Sequence, residues 1–327
     1  MLFPGKTQFE PGKSLSDSDI SASLDSISPA SWKRVGRELG EHAEVDLLLL
    51  PFWHAALAPA LTSVAKHSKR HGVRQVVGVM HNANSHDGKA WEAKLTKRFL
   101  KACDGVVTLS EAVSDKLHPW KPKTLFHPLY EHFPKGPSPA EARRQLRLSD
   151  EDVAHLFFGL IRPYKGLSVL LEALAHLPSH HKVLIAGECY EDWSAYQAQI
   201  DRHGLHNRVQ LHLDFIPDNL VSVFMQACDD VVLPYLDASQ SGVTALALHH
   251  EKRVVASDVG DLGTTIVPNL TGRLVPSGQP LALAEALSTP WHVQPADQAL
   301  AFRAVKEKFS WSAWASQLMQ LVQSEEW

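Results

Sequence analysis

Arg162 and Lys165 place two permanent positive charges in the stretch Gly159-Leu-Ile-Arg-Pro-Tyr-Lys-Gly166. Residues 154–159 form an apolar run of strand length closed by a glycine, and Leu167, Leu170, Leu171 and Leu174 follow at helical spacing. Two cations at the mouth of a helix, where free N–H groups and the positive dipole end already favour an anion, suit a diphosphate. Taken alone, the segment is equally compatible with solvated loop cations. A second stretch has the same form: residues 231–236 read as a buried strand, and Asp237-Ala-Ser-Gln-Ser-Gly-Val243 leads into a helical pattern through Leu246 and Leu248. Ser239 or Ser241 can cap that helix, and Gly242 lets the backbone approach a ligand. Arg253-Val-Val-Ala-Ser-Asp-Val-Gly260 is a further buried strand running into a polar, glycine-bearing loop. Three consecutive strand-to-helix loops of this kind line one edge of a parallel sheet, the edge at which open α/β sheets bind nucleotides.

The elements that must position these loops can be read along the chain. Residues 1–30, rich in Ser, Asp, Gly and Pro, have no period and read as an irregular loop. Residues 31–42 read as a helix with Trp32, Val35 and Leu39 on one face, and residues 45–52 as an apolar strand with Trp53 and His54 at its end. A helix over 56–71 ends in the cations Lys66, Lys69 and Arg70. Strand 73–80 runs into His81-Asn-Ala-Asn-Ser-His86-Asp87. A histidine at that end of a strand stands where ligands bind and can titrate near neutrality; the plainer alternative is a hydrogen bond to loop backbone. A helix over 91–102, strands over 105–109 and 124–128, and the linker signal Pro134-Lys-Gly-Pro-Ser-Pro139 complete the first half. In the second half, strand 182–187 precedes a helix starting at Glu188, and strand 209–215 precedes a short helix over 219–228.

Through Gly159…Arg162…Lys165-Gly166, Ala186-Gly-Glu188, Ser239-Gln-Ser-Gly242, Val254-Val-Ala-Ser-Asp-Val-Gly260 and Asn269-Leu-Thr-Gly-Arg-Leu-Val-Pro276, residues 153–309 resemble the retaining, nucleotide-sugar-dependent glycosyltransferases of family 4. The resemblance implies the GT-B fold: α/β, with two Rossmann-like doubly wound parallel-sheet domains facing a cleft. It places an acceptor-side domain at 1–134, lacking its first strand-helix-strand unit, and a sugar-donor-binding domain at 135–309. Residues 310–327 would form a helix packing back on the first domain. It implies transfer of a sugar from a nucleotide sugar to a glycan, lipid-linked or other glycoconjugate acceptor, with retention, no metal and no further cofactor. His81, Arg162, Lys165 and Asp237 are then the candidates for catalysis. Gly159, Glu188, Phe215, Ile216, Ser239, Ser241, Gly242 and Val243 are the candidates for binding the nucleotide sugar, the loop 214–217 bordering the base. The chain departs from the family at three carboxylates: Ala238, Leu246 and Thr264 stand where glutamates are expected, leaving Asp237, Glu188 and Asp261 to supply polar contacts.

Length and composition bound these expectations. A chain of 327 residues, 44% hydrophobic and 21% charged, accommodates two ordinary globular domains. Residues 1–150 carry 21 Lys and Arg against 16 Asp and Glu, a net of +5, and the rest carries 11 against 20, a net of −9. The basic half allows peripheral contact with an anionic membrane face, with scattered solvated charge as the alternative, and the overall acidity fits a nucleic-acid binder poorly. Cys103, Cys189 and Cys228 have no paired spacing and read as reduced thiols of a cytoplasmic protein. Despite 19 histidines, His67/His71 and His81/His86 lack a third ligand at metal-binding spacing. The competing classes are a non-catalytic glycosyltransferase-like binding or scaffold protein and a nucleotide-sugar epimerase of the same architecture.

Overall fold

A computed structural model of the chain describes residues 23–42, 45–83 and 90–324. The expected irregular loop over the first 22 residues, and the continuation of the His81 loop through His86, lie outside them. Two compact units result, one from residues 23–127 with 314–324, the other from 128–313. Among the described residues no helix is long and apolar enough to cross a membrane.

The N-terminal unit is built on a parallel sheet, β1 (Leu47–Phe52), β2 (Gln75–Met80), β3 (Gly105–Thr108) and β4 (Lys123–Thr124), in that spatial order. Alternation along β2 and β3 sends Val76, Met80 and Val106 to one face and Val77, Val79 and Val107 to the other. The first set packs with Leu61, Val64 and Phe99, the second with Leu125 and with Trp314 and Leu318 of the helix Trp311–Ser324. The last strand is shorter than the 124–128 expected. Beyond it the Leu125 N–H still donates to Thr108 O at 2.9 Å, but His127 leads into Pro128, which has no N–H to give.

The C-terminal unit carries six parallel strands: β5 (Val153–Phe158), β6 (His181–Ala186), β7 (Val209–His212), β8 (Asp230–Leu233), β9 (Arg253–Ser257) and β10 (Gly272–Val275). Their spatial order is β10-β9-β8-β5-β6-β7. The chain therefore winds outward one way from β5 and then the other way from β8, and a crevice opens where the loops after those two strands diverge. Leu167, Leu170, Leu171 and Leu174 are fully buried on the helix Leu167–Ala175, as their spacing requires. Each contributes about 2 kcal/mol in fixing that helix, and with it the preceding loop, to the sheet. The stretch 134–139 is not a free tether. Pro134 O accepts from Ser222 Oγ, Lys135 O accepts from Gln226 Nε2 at 2.9 Å, and Ser138 caps the helix Pro139–Gln145 with Glu141 completing a capping box. Composition alone marked a linker because the hydrogen-bond donors come from a helix, Asp218–Ala227, with separations of 88 and 91 residues.

At the strand ends away from the crevice, His155 is fully buried, with Nε2 2.9 Å from His181 Nδ1 and Nδ1 3.7 Å from Asp230 Oδ2. Burial and the neighbouring His181 pull His155 down to about 3, and burial pulls His181 to about 4. Burial also pushes Asp230 up to about 6, although Arg253 Nε lies 3.1 Å from its Oδ1. Histidines held neutral contribute stability that is present above their unfolded value near 6.5 and is lost as pH falls towards 3 and 4. Asp230 acts in the opposite sense between about 6 and its unfolded 3.8, but one carboxylate offsets only one of the two histidines. The urea midpoint is therefore expected to fall between pH 6.5 and 4; equal midpoints at pH 7 and pH 5 would show that these imidazoles are not held neutral.

Candidate functional site

Both loops at the crevice are pinned to each other by backbone. After β5 the chain turns through Gly159 (φ +90°), makes a 3₁₀ turn over Pro163–Lys165 and enters its helix through Gly166 (φ +69°). The Leu236 N–H donates to Tyr164 O at 2.7 Å, and Gly166 lies so near the β8 loop that a Cβ there would be 1.9 Å from Pro234 O. Between the two loops is a cavity of about 400 Å³.

Lys165 lines this cavity and is only 8% exposed. Its Nζ lies 5.6 Å above the Tyr235 ring, and among the described residues it has no hydrogen bond and no carboxylate partner. Burial, and then the charge of Arg162, pull its pKa down to about 8. A Cβ placed on Gly159 would sit 3.2 Å from that Nζ and 3.5 Å from Val243 Cγ2, so Gly159, Lys165 and Val243 converge on one point. The opposite wall is the start of the helix Gly242–His249. Ser241 is its cap, Oγ accepting from the Val243 N–H at 3.2 Å and lying 3.3 Å from the Tyr235 hydroxyl. A buried cation without an anion, facing a helix start, is an arrangement completed by a bound anion.

Of the remaining candidates, those of the C-terminal unit do not line this cavity. Arg162 lies over the Tyr190 ring at 4.5 Å, because the Ile161 N–H donates to Glu188 O (2.9 Å) and the Tyr190 N–H to Ile161 O (3.2 Å), zipping the β5 and β6 loops together. The Glu188 carboxylate accepts from the Tyr190 hydroxyl at 3.3 Å, so Arg162, Tyr190 and Glu188 form a polar rim on the next loop. Asp237 is exposed on the β8 loop, close enough that its charge helps raise Tyr164, whose pKa burial lifts first. Ser239 is not the cap; its carbonyl accepts from the Asp261 N–H at 3.2 Å, where Gly260 (φ +50°) presses the β9 loop against Ala238 O. Phe215 and Ile216 are half-buried after the edge strand β7 and do not line the cavity. His81 belongs to the N-terminal unit, its N–H donating to Phe52 O at 2.9 Å and its ring edge-on to His127 at 6.3 Å. Burial and His127 lower its pKa, which keeps it neutral at physiological pH.

Of the thirteen described residues that line the cavity, sequence reasoning named five as site candidates and missed eight. Tyr130, His132 and Phe133 form one lip, and Leu246 occupies the wall where a glutamate was expected. The run Tyr130-Glu-His-Phe133 was the available signal: three rings in four residues beside a supposed linker. Among the described residues, no three His, Cys, Asp or Glu side chains come together as a metal-ligand set.

Residues 153–291 match the family described as Glycosyl transferases group 1. A D-inositol 3-phosphate glycosyltransferase of Xylanimonas cellulosilytica is 29% identical over 227 residues, 67% of this chain and 54% of its own. The D-rhamnosyltransferase WbpZ of Pseudomonas aeruginosa is 28% identical over 216 residues, 62% of this chain and 54% of its own. The chain thus spans about half the length of these curated relatives. Among solved structures, Anabaena HepE in complex with UDP superposes with a TM-score of 0.73 at 21% identity, covering 90% of this chain and 82% of that one. Sucrose-phosphate synthase of Thermosynechococcus elongatus gives 0.67, also at 21%, covering 90% and 77%. The chain has the two-sheet α/β fold of the GT-B glycosyltransferases, and its residues 153–291 are a glycosyl transferases group 1 domain.

Proposed function

We propose that the protein is a glycosyltransferase that takes a sugar from a nucleotide-sugar donor and passes it to a glycan, lipid-linked or other glycoconjugate acceptor, with retention and without a metal ion. The observation that carries this is Lys165, a buried cation with no anion beside it, facing Gly159 and the Ser241–Val243 helix start across the switch-point cavity. A nucleotide sugar breaks at the anomeric carbon, and the leaving diphosphate gains negative charge as it departs. Lys165 and the Gly242 N–H are positioned to take up that charge, with Arg162 on the adjoining rim. Asp237 would face the sugar, Glu188 the rim, and His81 would act from the acceptor-side domain. HepE was solved with UDP and with UDP-glucose, which makes uridine nucleotides the first probes. A cytoplasmic location goes with this function, the +5 first half meeting the inner membrane face as a peripheral contact.

Titration of UDP, GDP, ADP and their glucose or mannose conjugates, followed by product anomer analysis, tests the proposal. Saturable binding of one nucleotide and a product keeping the sugar donor's configuration are expected. Excess chelator should leave the rate unchanged, and strict dependence on a divalent ion would contradict the metal-free mechanism. A non-catalytic nucleotide-sugar binder is the second reading, favoured by the buried, apolar Ala238 and Leu246 at two expected carboxylate positions. Binding without transfer or hydrolysis across a broad acceptor screen would select it.

A further inference from the structure

Tyr130 enters the cavity from outside residues 153–291, on the segment that leads into the C-terminal unit. Its hydroxyl lies over the start of the helix Gly242–His249, where a Cβ on Gly242 would come within 2.6 Å of it and within 3.1 Å of the ring. The segment is held on both sides of this residue. Before it, buried Leu129 donates its N–H to Phe309 O at 3.0 Å; after it, Phe133 O takes a hydrogen bond from His249 Nε2 at 3.2 Å. Tyr130 also sits edge-on to both His132 and Phe133, at 5.7 and 6.2 Å. A phenol fixed at that height above a helix start has an O–H within reach of an anion placed there, and Gly242 is the residue that leaves it room.

We infer that Tyr130 is a further ligand-binding residue of this cavity, its hydroxyl donating to the phosphate groups that Lys165 and the Gly242 helix start also receive. This rests on the diphosphate assignment of the cavity. The contact is one of binding and orientation, with no covalent step, and it explains why a glycine stands at helix position 242: any side chain there would expel the phenol.

The test is a comparison of wild type, Tyr130→Phe, Gly242→Ala and Lys165→Ala, each titrated with the nucleoside diphosphate that binds best among UDP, GDP and ADP, and with its nucleoside. Tyr130→Phe keeps the ring packing and is expected to keep the melting temperature, while weakening the diphosphate by about tenfold or more, the scale of a hydrogen bond to a charged group, and leaving the nucleoside unchanged. Gly242→Ala should weaken the diphosphate in the same direction, and adding Tyr130→Phe to it should then cost little further. Diphosphate affinity unchanged in Tyr130→Phe, with Lys165→Ala still impaired, overturns the role of Tyr130 alone. Equal loss for diphosphate and nucleoside makes Tyr130 a wall residue and overturns it likewise. No diphosphate binding by wild type overturns both assignments.

Discussion

Replacing Lys165 with alanine is expected to lower sugar transfer by about 10²–10³-fold, the scale seen when one preorganised group facing developing negative charge is removed. The loss should appear mainly in kcat, because the diphosphate carries more charge while leaving than while bound in the ground state. The same lysine is expected to cost stability. Its pKa of about 8 in the fold lies below the unfolded 10.5, a difference equivalent to about 3 kcal/mol against the protonated form. For a base lowered by folding, that cost is full below about pH 8 and is relieved as pH rises from there towards 10.5. Lys165→Met, which keeps the stem's packing and removes the charge, should therefore melt at or above the wild-type temperature at pH 7. Wild type should gain on Met as pH rises from 8 to 10. Near-normal turnover in purified Lys165→Ala would remove Lys165 from the site, and a large drop in melting temperature for Lys165→Met would show that the ammonium has a structural partner.

Gly166→Ala is expected to be among the most damaging substitutions of a single small residue. The position is left-handed at φ +69°, which costs a non-glycine residue about 1 kcal/mol or somewhat more. A Cβ there meets Pro234 O at 1.9 Å, and that carbonyl cannot retreat, because the same loop is tied back through Leu236 N–H to Tyr164 O. Relief requires separating the β5 and β8 loops, so the loss should exceed about 4 kcal/mol and abolish diphosphate binding. Gly204→Ala is the control: φ is +64° but nothing lies within 4 Å of the added carbon, so only the backbone cost of about 1 kcal/mol is expected. Equal unfolding free energies for the two variants in urea would show that the loop contact does not constrain the site.

Much of this site was legible in the chain because it depends on local patterns. The leucines 167, 170, 171 and 174 announce a buried helix, the glycines at 159 and 242 announce a strand end and a close approach, and Ser239 or Ser241 announces a cap. What was not legible depends on partners remote in sequence. The helix expected from Glu188 starts at Ser194, because Glu188 and Tyr190 pair first with Ile161, and Asp192 then takes the Ser194 N–H at 2.9 Å. The β7 run stops at His212 rather than 215, since its ladder to β6 ends opposite Ala186. Tyr130 and Phe133 read as the approach to a linker because nothing nearby reveals that Phe309 holds Leu129 and His249 holds Phe133 on either side of the tyrosine. Arg162 and Lys165, indistinguishable as sequence cations, part company in three dimensions: one lies on Tyr190 at the rim, the other is buried in the cavity.

The most direct measurement is proton uptake on binding. Calorimetric titration of the best-bound nucleoside diphosphate at pH 8, in two buffers of different ionisation enthalpy, should show uptake of about half a proton by wild type, as an ammonium half-titrated near that pH becomes fully charged beside the ligand. Lys165→Met should bind more weakly and take up none. The same proton count and the same affinity in both proteins would mean that the diphosphate does not rest on Lys165, and the cationic cavity would lose its function.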